Sequence, residues 1–270
     1  MAHQSGASSA VLDLARLPRH RATMFPFRDH NPSRRTPIVT YVLLAANILV
    51  FLAYVSLFSE QRALGSFFGT YGMVPARLTA GDGLETLFTS MFLHGGFMHI
   101  AGNMLFLYIF GDNLEDEMGP VAFLGFYLFG GLAAGLAQYA VDPFSQIPVV
   151  GASGAIAAVM GGYLLMFPKA GVDVLLIIVV FFKVFTIPAW TMLAVWFGLQ
   201  LVNGVTNWGV GAGVAYWAHA GGFIVGFVLV VPLWLKRGGT AFWARTHGHP
   251  DKPEAQYKLS RSSVPRVPRR

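Results

Sequence analysis

The chain has no cysteine among its 270 residues, which excludes disulfides and thiolate metal sites and leaves the redox compartment open. Charge is scarce: Asp, Glu, Lys and Arg make up 12% of the sequence against 54% hydrophobic residues, where a soluble domain carries about 25% charged residues. With a mean hydropathy of +0.55, that balance describes an integral membrane protein. No HExxH occurs, which removes the helical zinc-protease motif. Neither an intramembrane carboxylate pair nor an internal repeat is visible, as a transporter relaying protons through intramembrane histidines would require. No short apolar segment with a small-residue cleavage site precedes the first long apolar run, so a removable signal peptide is not expected; the Arg-rich beginning leaves an organellar transit peptide open.

What charge there is lies at the ends. The formal net charge of +6 resembles a nucleic-acid signal until it is mapped: 15 of the 19 Lys and Arg residues fall in residues 1–36 and 236–270. That is a topology signal, and no nucleic-acid partner is expected. The chain divides into a basic tail (1–36), one membrane domain (37–235) and a second basic tail (236–270), whose cations suit anionic lipid headgroups.

About 20 apolar residues span a bilayer as a helix. Six windows meet that standard loosely, near 37–58, 95–114, 120–140, 150–167, 186–204 and 213–235. The fold class expected is therefore an all-α membrane protein with six transmembrane helices. Pro37 and Pro120 suit first helical turns; Pro168, Gly171 and Gly238-Gly239 suit stops. The apolar, β-branched run 172–185 is too short for a seventh span and is read as interfacial or re-entrant. Six crossings put both basic tails on one face with Lys169 and Lys183, leaving only Arg62 and Arg77 opposite. Both termini are then cytoplasmic, and the second, fourth and sixth helices begin at the external face. Residues 59–93 form a long external loop with apolar content suited to the interface. The Gly-rich link from Asn203 to Gly213 reads either as a movable cap or as an ordinary connector.

Five of the eight histidines lie in the polar ends; His94, His99 and His219 lie in the apolar core. With a rise of ~1.5 Å per residue, Ser153 lies within about 5 Å of the external end of its helix, and Asn103 and His219 about 10 Å below theirs. A hydroxyl, an amide and an imidazole thus share one outer layer. Gly151, Ala152, Gly154, Ala155, Ala157 and Ala158 surround the serine, and Ala218, Ala220, Gly221, Gly222 and Gly226 the histidine. Small residues let helix backbones approach closely. Each motif alone reads as packing; together with a histidine at matching depth they point to a Ser153–His219 dyad, the imidazole serving as base. Asp112, Glu115, Asp116 and Glu117 belong to the far end of the second helix and Asp142 to a loop, so no carboxylate accompanies the pair. Oxyanion donors could come from the Ser153 N–H, His99 and Asn103, the last two four residues apart on one helix face. Their alternative reading is interhelical polar glue.

The ordered motifs His94-Gly-Gly-Phe-Met-His99-Ile-Ala-Gly-Asn103, Gly151-Ala-Ser153-Gly154 and Ala218-His219-Ala-Gly-Gly222-Phe-Ile-Val-Gly226 resemble the rhomboid intramembrane serine proteases, over about residues 37–235. The resemblance implies a bacterial-type six-helix bundle with a short central serine-bearing fourth helix and a cavity open to the extracytoplasmic side. It implies Ser153 as nucleophile, His219 as base, and His99, Asn103 and the Ser153 N–H as oxyanion donors. His94, Gly151, Gly154, Gly222 and Gly226 take supporting positions, and Glu115 a structural one. The substrates implied are single-pass membrane proteins, cleaved in or beside their transmembrane helices in a bacterial inner membrane, with no cofactor and no metal. Some family members carry a tyrosine that stacks on the imidazole where this chain has Ala157, and a Trp-Arg pair where it has Ala76-Arg77. The rival of another class is an inactive rhomboid-like scaffold that binds client helices.

Overall fold

The computed structural model describes residues 23–31, 33–178, 181–207 and 214–248; the greater part of both basic tails and of the 203–213 link lies outside the described residues. In chain order the elements are strand β1 (Thr23–Asp29), helix α1 (Ile38–Tyr54) with a 3-10 extension (Val55–Ser59), α2 (Gln61–Tyr71), α3 (Pro75–Thr79), α4 (Thr86–Thr89) with a 3-10 turn (Ser90–Phe92), α5 (Phe97–Met118), α6 (Pro120–Val141), α7 (Ser153–Met166), β2 (Gly171–Ile178), β3 (Phe181–Pro188), α8 (Ala189–Thr206), α9 (Tyr216–Lys236) and α10 (Thr240–Thr246). The molecule is mostly helical, and each of the six apolar windows folds as a helix. Among the described residues three helical segments are long and apolar enough to cross a membrane, Ile38–Ser59, Pro120–Val141 and Tyr216–Lys236. They become four if Thr86–Phe92 and Phe97–Met118, bent by 93°, count as one broken span.

Helix α7 holds the centre of the packing. It has 14 residues, about 21 Å at ~1.5 Å per residue, and is apolar on every face, the pattern of a helix enclosed by others. From Gly154 to Met166 every residue except Leu164 is buried. Against α9 the contact is backbone on backbone. A Cβ on Gly222 would overlap the Gly154 carbonyl oxygen, one on Gly226 the Ala158 carbonyl oxygen, and one on Gly161 the Phe223 carbonyl oxygen.

Helix α1 is pinned by an acid from another helix. Glu115 of α5, 5% exposed, accepts from the N–H of Val39 (2.9 Å) and from the N–H and hydroxyl of Thr40 (both 2.8 Å). Its carboxylate thus caps the first turn of α1, where helix N–H groups have no intrahelical partner and the dipole favours negative charge. The loop after α1 docks through aromatic contacts, Tyr54 on Phe67 (4.8 Å between centroids) and Phe51 on Phe58 (5.6 Å). Arg77 organises that loop, donating to the carbonyls of Gly69 (2.8 Å) and Thr70 (3.1 Å) and pairing with Asp82 (2.9 Å).

The all-α expectation needs one correction. The apolar run 172–185 falls on two strands, not a helix: β2 pairs antiparallel with β3 from Gly171↔Pro188 to Ile178↔Phe181. β1 adds on the other side of β2, making a three-stranded sheet of order β1-β2-β3 with a register shift between Pro26 and Arg28. Pro26 is tolerated because β1 is an edge strand. The strand wins because Val172 and Val174 alternate inward, both buried, while Asp173 between them bonds Thr186 across the ladder and His30 (2.8 Å). Beside the sheet, Asp29 accepts from the Tyr163 hydroxyl (2.8 Å) and from Asn113 (3.0 Å), whose amide also reaches Asp112 (2.6 Å). α10 closes the same end, with Phe242 buried and Trp243 Nε1 donating to the Leu165 carbonyl (2.9 Å). Both β1 and α10 therefore pack at the end of α7 remote from Ser153.

Removing the cap by Glu115→Ala should lower stability by about 2 kcal/mol, since three donors near the start of α1 lose their acceptor; thermal unfolding in detergent micelles measures it. Burial, and then the neighbouring Asp112 carboxylate, push Asp29 up to about 7. An acid raised in the folded state binds its proton more tightly there than when unfolded, so stability falls as pH rises from about 4 to about 7. Melting temperatures across that range should show the decline, and Asp29→Asn should make it shallower.

Candidate active site

Ser153 is the first residue of α7, reached through Gly151 at φ +135°. That conformation suits glycine, and the surroundings demand it: a Cβ there would lie 2.9 Å from His99 Nε2 and 3.3 Å from Ser153 Oγ. The Gly151 N–H donates to the Ser90 carbonyl (2.9 Å), tying the approach to the turn before α5. As the first residue of the helix, Ser153 leaves its own N–H without an intrahelical acceptor.

His219 sits in the first turn of α9, and its Nε2 lies 2.7 Å from Ser153 Oγ. The close packing of α7 on α9 through Gly154 and Gly222 is what makes this distance attainable. The start of α9 is secured by α6: the Gln138 side chain accepts from the Ala218 N–H (3.2 Å), satisfying one of the helix's free donors. On the other side of the imidazole, Nδ1 lies 2.8 Å from Gln200 Oε1 on α8, and the Trp196 ring lies 5.9 Å away by centroids, inclined at 35°.

His99 accepts the Gly95 N–H at Nδ1 (3.1 Å). A neutral imidazole that accepts at Nδ1 carries its proton on Nε2, and this is the nitrogen beside Gly151. Asn103, one turn further along α5 and 8% exposed, has an Nδ2 with no hydrogen-bond partner among the described residues. It lines the same cavity of about 580 Å³ as Ser153, His99 and His219. His94 is placed differently. It is fully buried, its ring edge-on to His99 at 5.2 Å, and its backbone exchanges hydrogen bonds with the Tyr54 hydroxyl (2.6 and 2.9 Å). It braces the loop against α1 and stands outside the cavity lining. Among the described residues no group of three or more His, Cys, Asp or Glu could hold a metal ion.

The expected set therefore meets: Ser153, His219, His99 and Asn103 surround one cavity, with Gly151, Gly154, Gly222 and Gly226 at the contacts that bring them together. Glu115 lies far from it, in its capping role. Sequence reasoning missed Gln200, Trp196 and Gln138. Their one signal is an uncharged polar or indole group in an otherwise apolar helix, with Trp196 and Gln200 four residues apart on one face.

A Rhomboid domain family model matches residues 82–236, more than half of the chain. The chain belongs to the rhomboid family. Among curated rhomboid relatives, a putative rhomboid protease of Bacillus subtilis, YdcA, is 36% identical over 80 residues, 30% of this chain and 40% of its own length. The chloroplastic Rhomboid-like protein 11 of Arabidopsis thaliana is 31% identical over 128 residues, 47% of this chain and 41% of its own. The rhomboid protease GlpG of Salmonella newport is 26% identical over 212 residues, 77% of this chain and 67% of its own. The chain thus spans about two fifths of the length of the first two relatives. The rhomboid match includes all three motifs and the whole dyad cavity wall contributed by α5, α7 and α9.

The contact between α7 and α9 tolerates no side chain at residue 222. Gly222→Ala should force the helices apart at the Gly154 carbonyl, lower the melting temperature and reduce fluorophosphonate labelling of Ser153 at least about tenfold, because the Ser–His bond depends on that approach. Labelling at the wild-type rate in a protein of unchanged stability would contradict this.

Proposed function

We propose that this chain is an intramembrane serine endopeptidase that hydrolyses peptide bonds in or next to transmembrane helices of other membrane proteins. The observation that carries the reading is the 2.7 Å contact of Ser153 Oγ with His219 Nε2 on the wall of a cavity shared with His99 and Asn103. The family membership and the names of the relatives support the class of reaction.

A serine hydroxyl becomes a competent nucleophile when a neutral imidazole takes its proton as it attacks. His219 Nε2 accepts the Ser153 proton, and Oγ adds to the substrate carbonyl carbon. The oxygen that becomes negative is met by the Ser153 N–H at the start of α7, by His99 Nε2–H and by the Asn103 Nδ2 amide, which has no other hydrogen-bond partner among the described residues. The imidazolium returns its proton to the leaving amine as the C–N bond breaks, leaving the acyl group on Ser153. Water then gives a proton to His219 as its oxygen adds to the acyl carbon, and His219 passes that proton to Ser153 Oγ as the ester bond breaks, releasing the new carboxyl group and restoring the serine. Acid, base and nucleophile are all side chains of this chain, so the reaction calls for no cofactor or metal.

The membrane domain proposed is residues 37–235, with six crossings, α7 as the short central fourth helix, and both basic tails on the cytoplasmic side of a bacterial inner membrane. Two features support that orientation. The Lys and Arg residues concentrate at the ends of the chain, and β1 and α10 pack at the end of α7 away from Ser153. The cavity then faces the extracytoplasmic side, from which hydrolytic water can enter. Single-pass membrane proteins are the proposed substrates and the lipid bilayer the other partner. A scaffold that only binds client helices has no use for a serine hydrogen-bonded to an imidazole.

Reconstituted with a model single-pass substrate, the wild type should cleave it, while Ser153→Ala and His219→Ala should each lose at least about a hundredfold, the scale of general-base catalysis. Cleavage that persists undiminished in either variant would sink the reading.

A further inference from the structure

We infer that Gln200 is the positioning residue of the dyad: its side-chain oxygen, carried on α8, holds the His219 imidazole in the tautomer that can accept the serine proton. The inference rests on the Ser–His reading above and supplies what that reading lacks. A neutral imidazole serves as base at Nε2 only when its proton sits on Nδ1, and an acceptor facing Nδ1 is what favours that tautomer. Where a carboxylate does this elsewhere, among the described residues no Asp or Glu is bonded to the ring, and Ala157 offers no aromatic face. The group facing Nδ1 is Gln200 Oε1, at 2.8 Å.

Which end of the amide faces the ring decides the argument, because an amide turned about would present a donor. The other end settles it. Gln200 Nε2 reaches the Trp196 carbonyl one turn back on α8, at 3.3 Å. Turned about, the amide oxygen would face that carbonyl oxygen and its NH₂ would face the imidazole, and the arrangement would lose the backbone bond. The amide is therefore set with its oxygen toward His219. Nδ1 donates, and the Nε2 lone pair faces Ser153 Oγ.

The helix that carries this acceptor is itself indexed on α9. Trp196, Gln200 and Gly204 recur every fourth residue along α8 and so lie on one face. Trp196 lies against Phe223 (6.0 Å between centroids) and His219, Gln200 meets His219, and at Gly204 a Cβ would be 3.1 Å from the Trp217 ring. Each successive turn of α8 toward Gly204 meets an earlier position on α9, as two antiparallel helices must. Gly204 lets α8 approach Trp217 closely enough for the short reach of the Gln200 side chain to find Nδ1.

The test compares Gln200→Met, which keeps length and removes the acceptor, with Gln200→Glu, which keeps an oxygen at the same reach. Fluorophosphonate labelling of Ser153 and kcat and KM for a transmembrane substrate are measured beside melting curves. Gln200→Met should slow labelling and kcat by roughly 10- to 100-fold, part of the general-base contribution, with KM within about twofold, and Gln200→Glu should recover most of the loss. A Gln200→Met protein as active as wild type overturns the inference. So does a Gln200→Glu protein as impaired as Gln200→Met. If Gln200→Met melts early, the comparison of Gln200→Glu with wild type decides between the two outcomes. Wild-type protein that neither labels nor cleaves overturns the enzyme reading as well, whereas labelling abolished by Ser153→Ala but untouched by Gln200→Met overturns this inference alone.

Discussion

The structure depends on one contact without side chains, the approach of α9 to α7. Where Gly222 meets the Gly154 carbonyl and Gly226 the Ala158 carbonyl, helix backbones touch, and there is no room for any residue larger than glycine. In a bilayer lipid tails satisfy apolar surfaces as well as protein does, so helices associate through close van der Waals packing instead of expulsion of water. The same approach determines how far His219 stands from Ser153. Packing and chemistry are set by the same few glycines.

Around that contact the polar groups are arranged by their donors and acceptors. Gln138 completes the first turn of α9, Gly95 determines which nitrogen of His99 keeps its proton, and Gln200 does the same for His219. Each partner is an uncharged group. In a low-dielectric interior a neutral hydrogen bond keeps an imidazole in one tautomer without burying an additional charge. Toward the other end of the bundle carboxylates take over, where Glu115 caps α1 and Asp29 approaches Asp112 through a shared amide.

Much of the site was legible because it depends on helical depth. Ser153, Asn103 and His219 could be assigned to one layer by counting residues from helix ends, and the small residues flanking the serine and the histidine announced a close approach. Gln200 was not legible in the same way. A lone Gln in an apolar helix is known to seek a partner, but which of several neighbours it finds depends on the rotation of α8 about its axis, which periodicity leaves open when the helix is apolar on most faces. The hairpin at 171–188 failed to show for a related reason. A short run of Val, Ile, Leu and Phe has no period that separates a buried strand from a buried helical segment, and the pairing that decided it came from β1, about 150 residues away in sequence.

By itself the amino-acid sequence determined that this is a membrane protein, where its apolar helices lie, that positive charge gathers at both ends of the chain, and that a serine and a histidine share a layer with an amide. These follow from composition and from the constant rise of a helix, both local properties. Only the tertiary structure decided which side chains face one another: the amide behind the imidazole, the carboxylate capping a helix from its neighbour, the strand that turns an apolar run into a sheet. Those depend on the rotation and separation of whole elements, and small glycine contacts between distant segments set them.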